Sequence, residues 1–403
     1  MLYKNILIIF ICIILSLFFI VLSFYPNYWI NFFGFFSVPP QIPAFSDFGA
    51  HVRFLKCKEL GFALYDSCPE IINGNSTYNT HPSLWLKIFK FLNLKNIYNF
   101  NFLVFILLVL YFSCLFYILK FIIDFKNKII FLLATISTSN LLLVERLATD
   151  CVIFILLFFL ISNIKFFYKY FLFFLAIMLK IYPVFVLSIF SNDKKKFFIA
   201  LSICCLGFFF LKDDIANINE NIVEFSRVFG YGSRSISKGI YLFLNHHNYL
   251  VIENYNLLKN FIIFLFLLFV FFNIYFSFFK KKYQNIDHKN FFLIKNCQFF
   301  LLGSSVFIFT FIFGSNADYR LIFLFFVLPY VLNYYQGKNK LTFLFCLFVS
   351  LNSLLFEKGY KFSSIYYMNV SFVYLCKIIL LSYLSITFGH IMKNYIFLKK
   401  FIL

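Results

Sequence analysis

In the stretch SVPPQIPAFSDFGAHVRFL, Ser37 to Leu55, three side chains capable of chemistry fall within seven positions: Asp47, His51 and Arg53. A carboxylate can take a proton, an imidazole can hold one, and a guanidinium can grip an anion. His51 follows Asp47 by four residues, which on a helix puts both on one face. Further along, Arg146 and Asp150 stand four apart at the start of an apolar run, and Asp318 and Arg320 lie in GSNADYR. An ionised group beside a long apolar segment is costly and tends to face a cavity. Elements able to hold such groups must be found in a chain that is otherwise strongly apolar.

Of the 403 residues, 62% are hydrophobic and 13% charged, against roughly 25% charged in soluble domains. Many runs exceed about 15 apolar residues, close to the length that crosses a bilayer. The chain therefore reads as an all-α, polytopic transmembrane helical bundle, one integral-membrane domain over residues 1–403, with about 10–12 spans. The first span, Ile6–Phe24, lacks a small-residue cleavage site and reads as a retained anchor. A long loop, Tyr25–Tyr98, follows it. Further spans are expected at Phe100–Ile123, Ile129–Val144, Cys151–Ile161, Phe197–Leu211, Leu257–Phe279, Phe291–Phe313, Tyr319–Tyr335, Leu341–Phe356 and Val370–Ile391. Lysine clusters such as DFKNK, NDKKK, KKKYQNIDHK and QGKNK are assigned to the cytoplasmic side. That assignment needs Tyr170–Phe190 to return to the face it left, as a broken hairpin. The KIYP sequence at Lys180–Pro183 supplies the break, because Pro183 has no N–H and disfavours helix at Tyr182.

The net charge of +20 suits membrane lipids, since the lysines sit in short clusters between apolar runs. No nucleic-acid partner is expected. The ten cysteines show no metal-ligand spacing. Cys57 and Cys68 share the long loop and can pair if it is extracytoplasmic. Only five of the 36 Lys and Arg residues are arginine: Arg53, Arg146, Arg227, Arg234 and Arg320. All five fall on the expected outer side, against the usual bias. The planar guanidinium suits phosphate, so an anionic ligand on that face is expected. Surface ion pairs with the outer acids are the alternative.

Within the long loop, DFGAHVRFLKCKELG reads as a helix with Asp47 as N-cap and Gly61 as its stop. Phe48, Leu55 and Leu60 are expected at the membrane interface. NGNSTYNTHPSLW follows, a polar loop holding Tyr78, His81 and Pro82, with Trp85 as an interfacial residue.

An early loop Asp, a Gly61-to-Tyr65 helix end, the Tyr78–Leu84 stretch, LKIYPVFVL at Leu179–Leu187 and NADYRLIFLFFVLP at Asn316–Pro329 occur in this order. In that order the chain resembles membrane glycosyltransferases of the GT-C type, and most of all glycosyltransferase family 87, the polyprenyl-phosphate-mannose-dependent mannosyltransferases. It departs from them where HPS replaces a Tyr-Pro-Pro. The resemblance implies transfer of a mannose-like hexose from a polyprenyl-phosphate-linked sugar to a lipid-linked or glycan acceptor, outside the membrane. It implies Asp47 as general base. Arg320, Arg234 and Lys180 would hold the donor phosphate, without a metal or cofactor. His81, Asp150, Asp318 and Tyr319 would bind sugar or acceptor, although Asp150 can instead pair with Arg146. An O-antigen-type polymerase and a lipid-sugar transporter or flippase are the competing classes. The first usually places its main loops mid-chain, and the second needs no Asp in so long an outer loop.

Overall fold

The computed structural model describes residues 2–62, 81–220, 230–246, 255–279, 291–314, 316–357 and 364–397. In chain order the helices are α1 (Leu2–Ser23), α2 (Pro26–Phe35), α3 (Ser46–Glu59), α4 (Leu84–Phe91), α5 (Ile97–Leu119) and α6 (Phe125–Thr135). They continue as α7 (Thr138–Arg146), α8 (Asp150–Ile161), α9 (Phe166–Leu179), α10 (Lys194–Glu220) and α11 (Ser233–His246). The last five are α12 (Tyr255–Phe279), α13 (Phe291–Phe313), α14 (Leu324–Tyr334), α15 (Gly337–Leu351) and α16 (Ser364–Phe397). Tyr182–Phe190, Asp318–Phe323 and Ser353–Glu357 are 3₁₀ turns. The short strands β1 (Gly230–Tyr231) and β2 (Asn316–Ala317) pair antiparallel.

The protein is an integral, multi-pass membrane protein of all-α architecture. Among the described residues five helices, α1, α5, α12, α13 and α16, are long and apolar enough to cross a membrane, and a sixth crossing results if the bent pair α6–α7 forms one. The expected count took Cys151–Ile161 as a crossing and Tyr170–Phe190 as a hairpin. The first is built as a short helix, α8 with 12 residues, and the second begins in another, α9 with 14. At 1.5 Å per residue these reach only about 18 and 21 Å, short of a hydrocarbon core of about 30 Å. Nine residues of α8 are buried, so protein and not lipid covers it.

The chain groups into two compact units. The first comprises Met1–Tyr117, Leu141–Val184 and Ile199–Ile222; the second comprises Ile118–Asn140, Phe185–Phe198 and Val223–Leu403. In the first, α3 packs on α4, α4 on α9, and α9 on α8. The segment 25–98 is thus not a plain loop, since it holds α2, α3 and α4. In the second, α13 packs on α14 and α16, and α16 also takes α12 and α15. A Cβ on Gly389 would lie 2.0 Å from Ser277 Oγ and 2.8 Å from Ile274 O, so only glycine lets α12 and α16 approach this closely.

The break at KIYP is where the sequence places it. Helix α9 ends at Leu179, Lys180 turns to extended backbone (φ −155°, ψ 142°), and a 3₁₀ turn follows from Tyr182.

Candidate functional site

Helix α3 begins differently from its reading in the sequence. Its N-cap is Phe45, in the left-handed region at φ 58°, and Asp47 is the second helical residue with no capping bond. Phe45 holds this conformation because its N–H donates to the Glu145 carbonyl at 3.0 Å and its buried ring meets Trp29 at 5.1 Å. Gly61, at φ +92°, ends the helical segment as expected. Freed from capping, Asp47 forms no hydrogen bond or ion pair to the described residues, and it is only half-buried. Desolvation nonetheless pushes its carboxyl above the usual carboxylate range; Arg146, Lys180 and Arg53 pull it back, and Asp150 adds to the rise. A carboxylate so raised is a stronger base than an ordinary one and stays within reach of a ligand.

The interfacial positions expected for Phe48, Leu55 and Trp85 are corrected: all three are buried within the protein, while Leu60 is exposed. Phe48 packs on Phe89 of α4 at 4.9 Å. Trp85 turns inward because its indole finds two uses. It stacks on His51 at 5.2 Å, and its N–H donates to the Leu179 carbonyl at 3.0 Å. That carbonyl lies in the last turn of α9, where helical partners run out. Ser83, of the HPS turn, donates through both N–H and Oγ to Asp214 of α10, at 3.0 and 3.1 Å. Three distant motifs of the sequence thus meet in the first unit: Asp47–His51, His81–Trp85 and Leu179–Tyr182.

Lys180 and Asp150 are also brought together there, but with each other. Lys180 Nζ lies 3.2 Å from Asp150 Oδ2, and the Tyr182 hydroxyl donates to Oδ1 at 2.7 Å. Arg146 is not the partner of Asp150. It pairs with Glu145 at 2.7 Å and donates to the Pro39 carbonyl at 3.0 Å. His81 is half-buried, its ring 4.8 Å from that of His51.

The remaining expected site residues belong to the second unit. Asp318 is fully buried and is bound by Lys377 Nζ at 2.9 and 3.1 Å and by the Ser353 hydroxyl. Lys377 also donates to the Gly230 carbonyl at 3.1 Å, tying α16 to β1. Tyr319 and Arg320 follow Asp318 on the same 3₁₀ turn, half-buried. Arg234 is in the first turn of α11, just beyond Gly232. Gly232 adopts φ +113°, and a Cβ there would meet the Gly314 carbonyl at 2.3 Å. Arg227, Tyr65, Tyr78 and Cys68 lie outside the described residues; Cys57 is disulfide-bonded.

Sequence reasoning missed Glu145, Tyr182, Ser353 and Lys377. Lys377 had a signal, a single cation inside a long apolar run. Glu145 and Ser353 had none, because each takes its importance from partners remote in the chain. No protein family matches the chain, and no curated protein or solved structure matches it.

His51 gives a testable electrostatic consequence. It is fully buried against Trp85, Phe89 and His81, with no hydrogen-bond partner for either nitrogen among the described residues. Desolvation first, then Lys180 and Arg53, push its pKa from 6.5 down to about 3. Between those values the unfolded chain takes up a proton that the folded chain refuses, so stability is full above the upper value and is lost as pH falls. His51→Phe should flatten that dependence by about one proton, roughly 1.4 kcal/mol per pH unit below about pH 6. Thermal unfolding of both proteins in one detergent at pH 7 and pH 5 measures this; parallel losses would show that His51 is not buried as a neutral ring.

Proposed function

We propose that the protein is a GT-C-like membrane glycosyltransferase, resembling family 87, that moves a hexose from a polyprenyl-phosphate donor to a lipid-linked or glycan acceptor. One observation carries the reading: Asp47 keeps a half-open carboxylate without a hydrogen bond or ion pair to the described residues, amid three cations. A structural acid would be expected to spend its oxygens on those cations, as Asp150 and Glu145 do. In the proposed reaction the Asp47 carboxylate takes the proton of the acceptor hydroxyl. That oxygen attacks the anomeric carbon while the bond to the phosphate oxygen breaks. The polyprenyl phosphate leaves as an anion, which fixed cations stabilise. Lys180, held by Asp150, is a cation of this kind on the same unit as Asp47. His81 is assigned to sugar or acceptor hydroxyls. The disulfide at Cys57 supports an extracytoplasmic α3, since such bonds persist in oxidising compartments.

The test is incubation of the purified protein with radiolabelled polyprenyl-phosphate sugars and a membrane lipid extract as acceptor. Label moving to a new product supports the reading. Transfer only from diphosphate-linked oligosaccharides would point to a polymerase, and transport without transfer to a flippase.

A donor-phosphate role for Arg320 and Arg234 makes a separate prediction. Arg320→Lys should keep expression and folding yet raise the donor KM about tenfold or more, because a point charge replaces a bidentate fork. Steady-state kinetics against donor concentration measure it. Unchanged KM in both Arg320→Lys and Arg320→Ala would assign Arg320 to structure alone.

A further inference from the structure

We propose that Glu145 is the positioning residue of the Asp47 carboxylate, a buried acid that fixes the chain reversal in front of α3; this rests on the reading of Asp47 as the base. The segment preceding Asp47 cannot fix itself. Pro39, Pro40 and Pro43 supply no N–H, so little backbone bonding of its own is available. The direction of α3 is instead set at Phe45, whose left-handed backbone a non-glycine residue keeps only when its surroundings hold it.

Those surroundings centre on Glu145, whose side chain is fully buried. One carboxylate oxygen accepts from the Gln41 N–H at 2.6 Å and from the Trp29 indole N–H at 3.4 Å. The other faces Arg146 Nε at 2.7 Å. The backbone carbonyl of the same residue accepts from Phe45 at 3.0 Å. Arg146, oriented by that pair, reaches the Pro39 carbonyl at 3.0 Å and Ser46 Oγ at 3.5 Å. Two neighbouring residues at the end of α7 thus grip residues 39, 41, 45 and 46. Asp47 is the next residue along, and its carboxylate forms no hydrogen bond or ion pair to the described residues. An acid whose only task was packing would be better replaced by an apolar side chain, since burying a charge is costly. What the carboxylate adds here is direction: two N–H donors converge on one oxygen, and the Arg146 guanidinium is paired with the other.

The experiment compares Glu145→Gln with the parent. Gln keeps an acceptor for Gln41 and Trp29 but loses the charge that orients Arg146. In the sugar-transfer assay kcat should fall about tenfold to a hundredfold, the scale of a small misplacement of a reacting group. The donor KM should stay within about twofold, and the pH midpoint should not move, because the base is still Asp47. A second arm needs no activity. In proteins carrying Asp47→Cys, with and without Glu145→Gln, the rate of thiol alkylation at position 47 is measured. The proposal expects the rate to change severalfold while the melting temperature holds. Arg146→Lys, which retains charge but loses the reach to Pro39 and Ser46, should act in the same direction if Glu145→Gln folds poorly. Unchanged alkylation in both variants overturns the positioning role, as does unchanged kcat in a parent that transfers sugar. A parent that transfers nothing overturns the glycosyltransferase reading, and the alkylation arm still decides the positioning.

Discussion

An Asp47→Asn protein is expected to insert, fold and melt no lower than the parent, while its transfer rate drops roughly a hundredfold or more. General-base assistance is typically worth about 10²–10⁴ in rate, and losing negative charge near an oxocarbenium-like centre adds to that. The stability half of the expectation follows from the raised pKa of Asp47. A carboxyl raised by folding favours the folded state only where it is protonated. That contribution is complete below the ordinary carboxylate pKa and is lost as pH rises through the folded value. Where Asp47 is ionised it therefore opposes folding, and an uncharged Asn relieves it. No cap is lost, because Phe45 and not Asp47 caps the helix. Asp47→Glu should recover part of the rate, limited by one added methylene. The measurement is initial rate per folded protein for Asn, Glu and Ala, beside melting curves at pH 7. Normal transfer by the Asn variant would remove Asp47 from the mechanism; a lower melting temperature would mean that its charge is paired.

The second large effect concerns stability alone. Lys377→Met should destabilise the second unit by about 3–5 kcal/mol, because it leaves the Asp318 charge buried without its main partner. Both side chains are fully buried, and Lys377 gives its ammonium to both Asp318 oxygens and to Gly230. The double variant Lys377→Met with Asp318→Asn should regain much of the loss, since no charge is then stranded. Unfolding in mixed micelles gives all three values. Additive losses in the double variant would show that the two residues contribute separately and not as a pair.

The features legible in the sequence are those written locally. Pro183 lacks a donor, and the helix breaks at KIYP. Gly61 tolerates positive φ, and α3 stops there. The apolar runs give a multi-pass bundle. What stayed hidden is written in partners. The start of α3 depends on a left-handed phenylalanine that no propensity foretells, held by a carbonyl 100 residues away. Trp85 looked interfacial because the Leu179 carbonyl that satisfies its indole is 94 residues distant. The partner of Asp318, Lys377, is 59 positions on and could not be matched to it from the sequence. Among the described residues fewer helices are long enough to cross than the apolar runs suggested, because hydrophobicity reports burial, and burial in protein and in lipid read alike.

The disulfide at Cys57 places a time stamp on assembly. It sits near the end of α3, ten residues after Asp47. Thiols are oxidised where a compartment permits it, not on a ribosome in a reducing cytosol. On the extracytoplasmic placement proposed above, the helix carrying Asp47 is finished in two stages, with membrane insertion first and covalent closure second. On that placement a chain still in transit has not yet closed its Cys57 disulfide, so covalent closure at the end of α3 coincides with arrival.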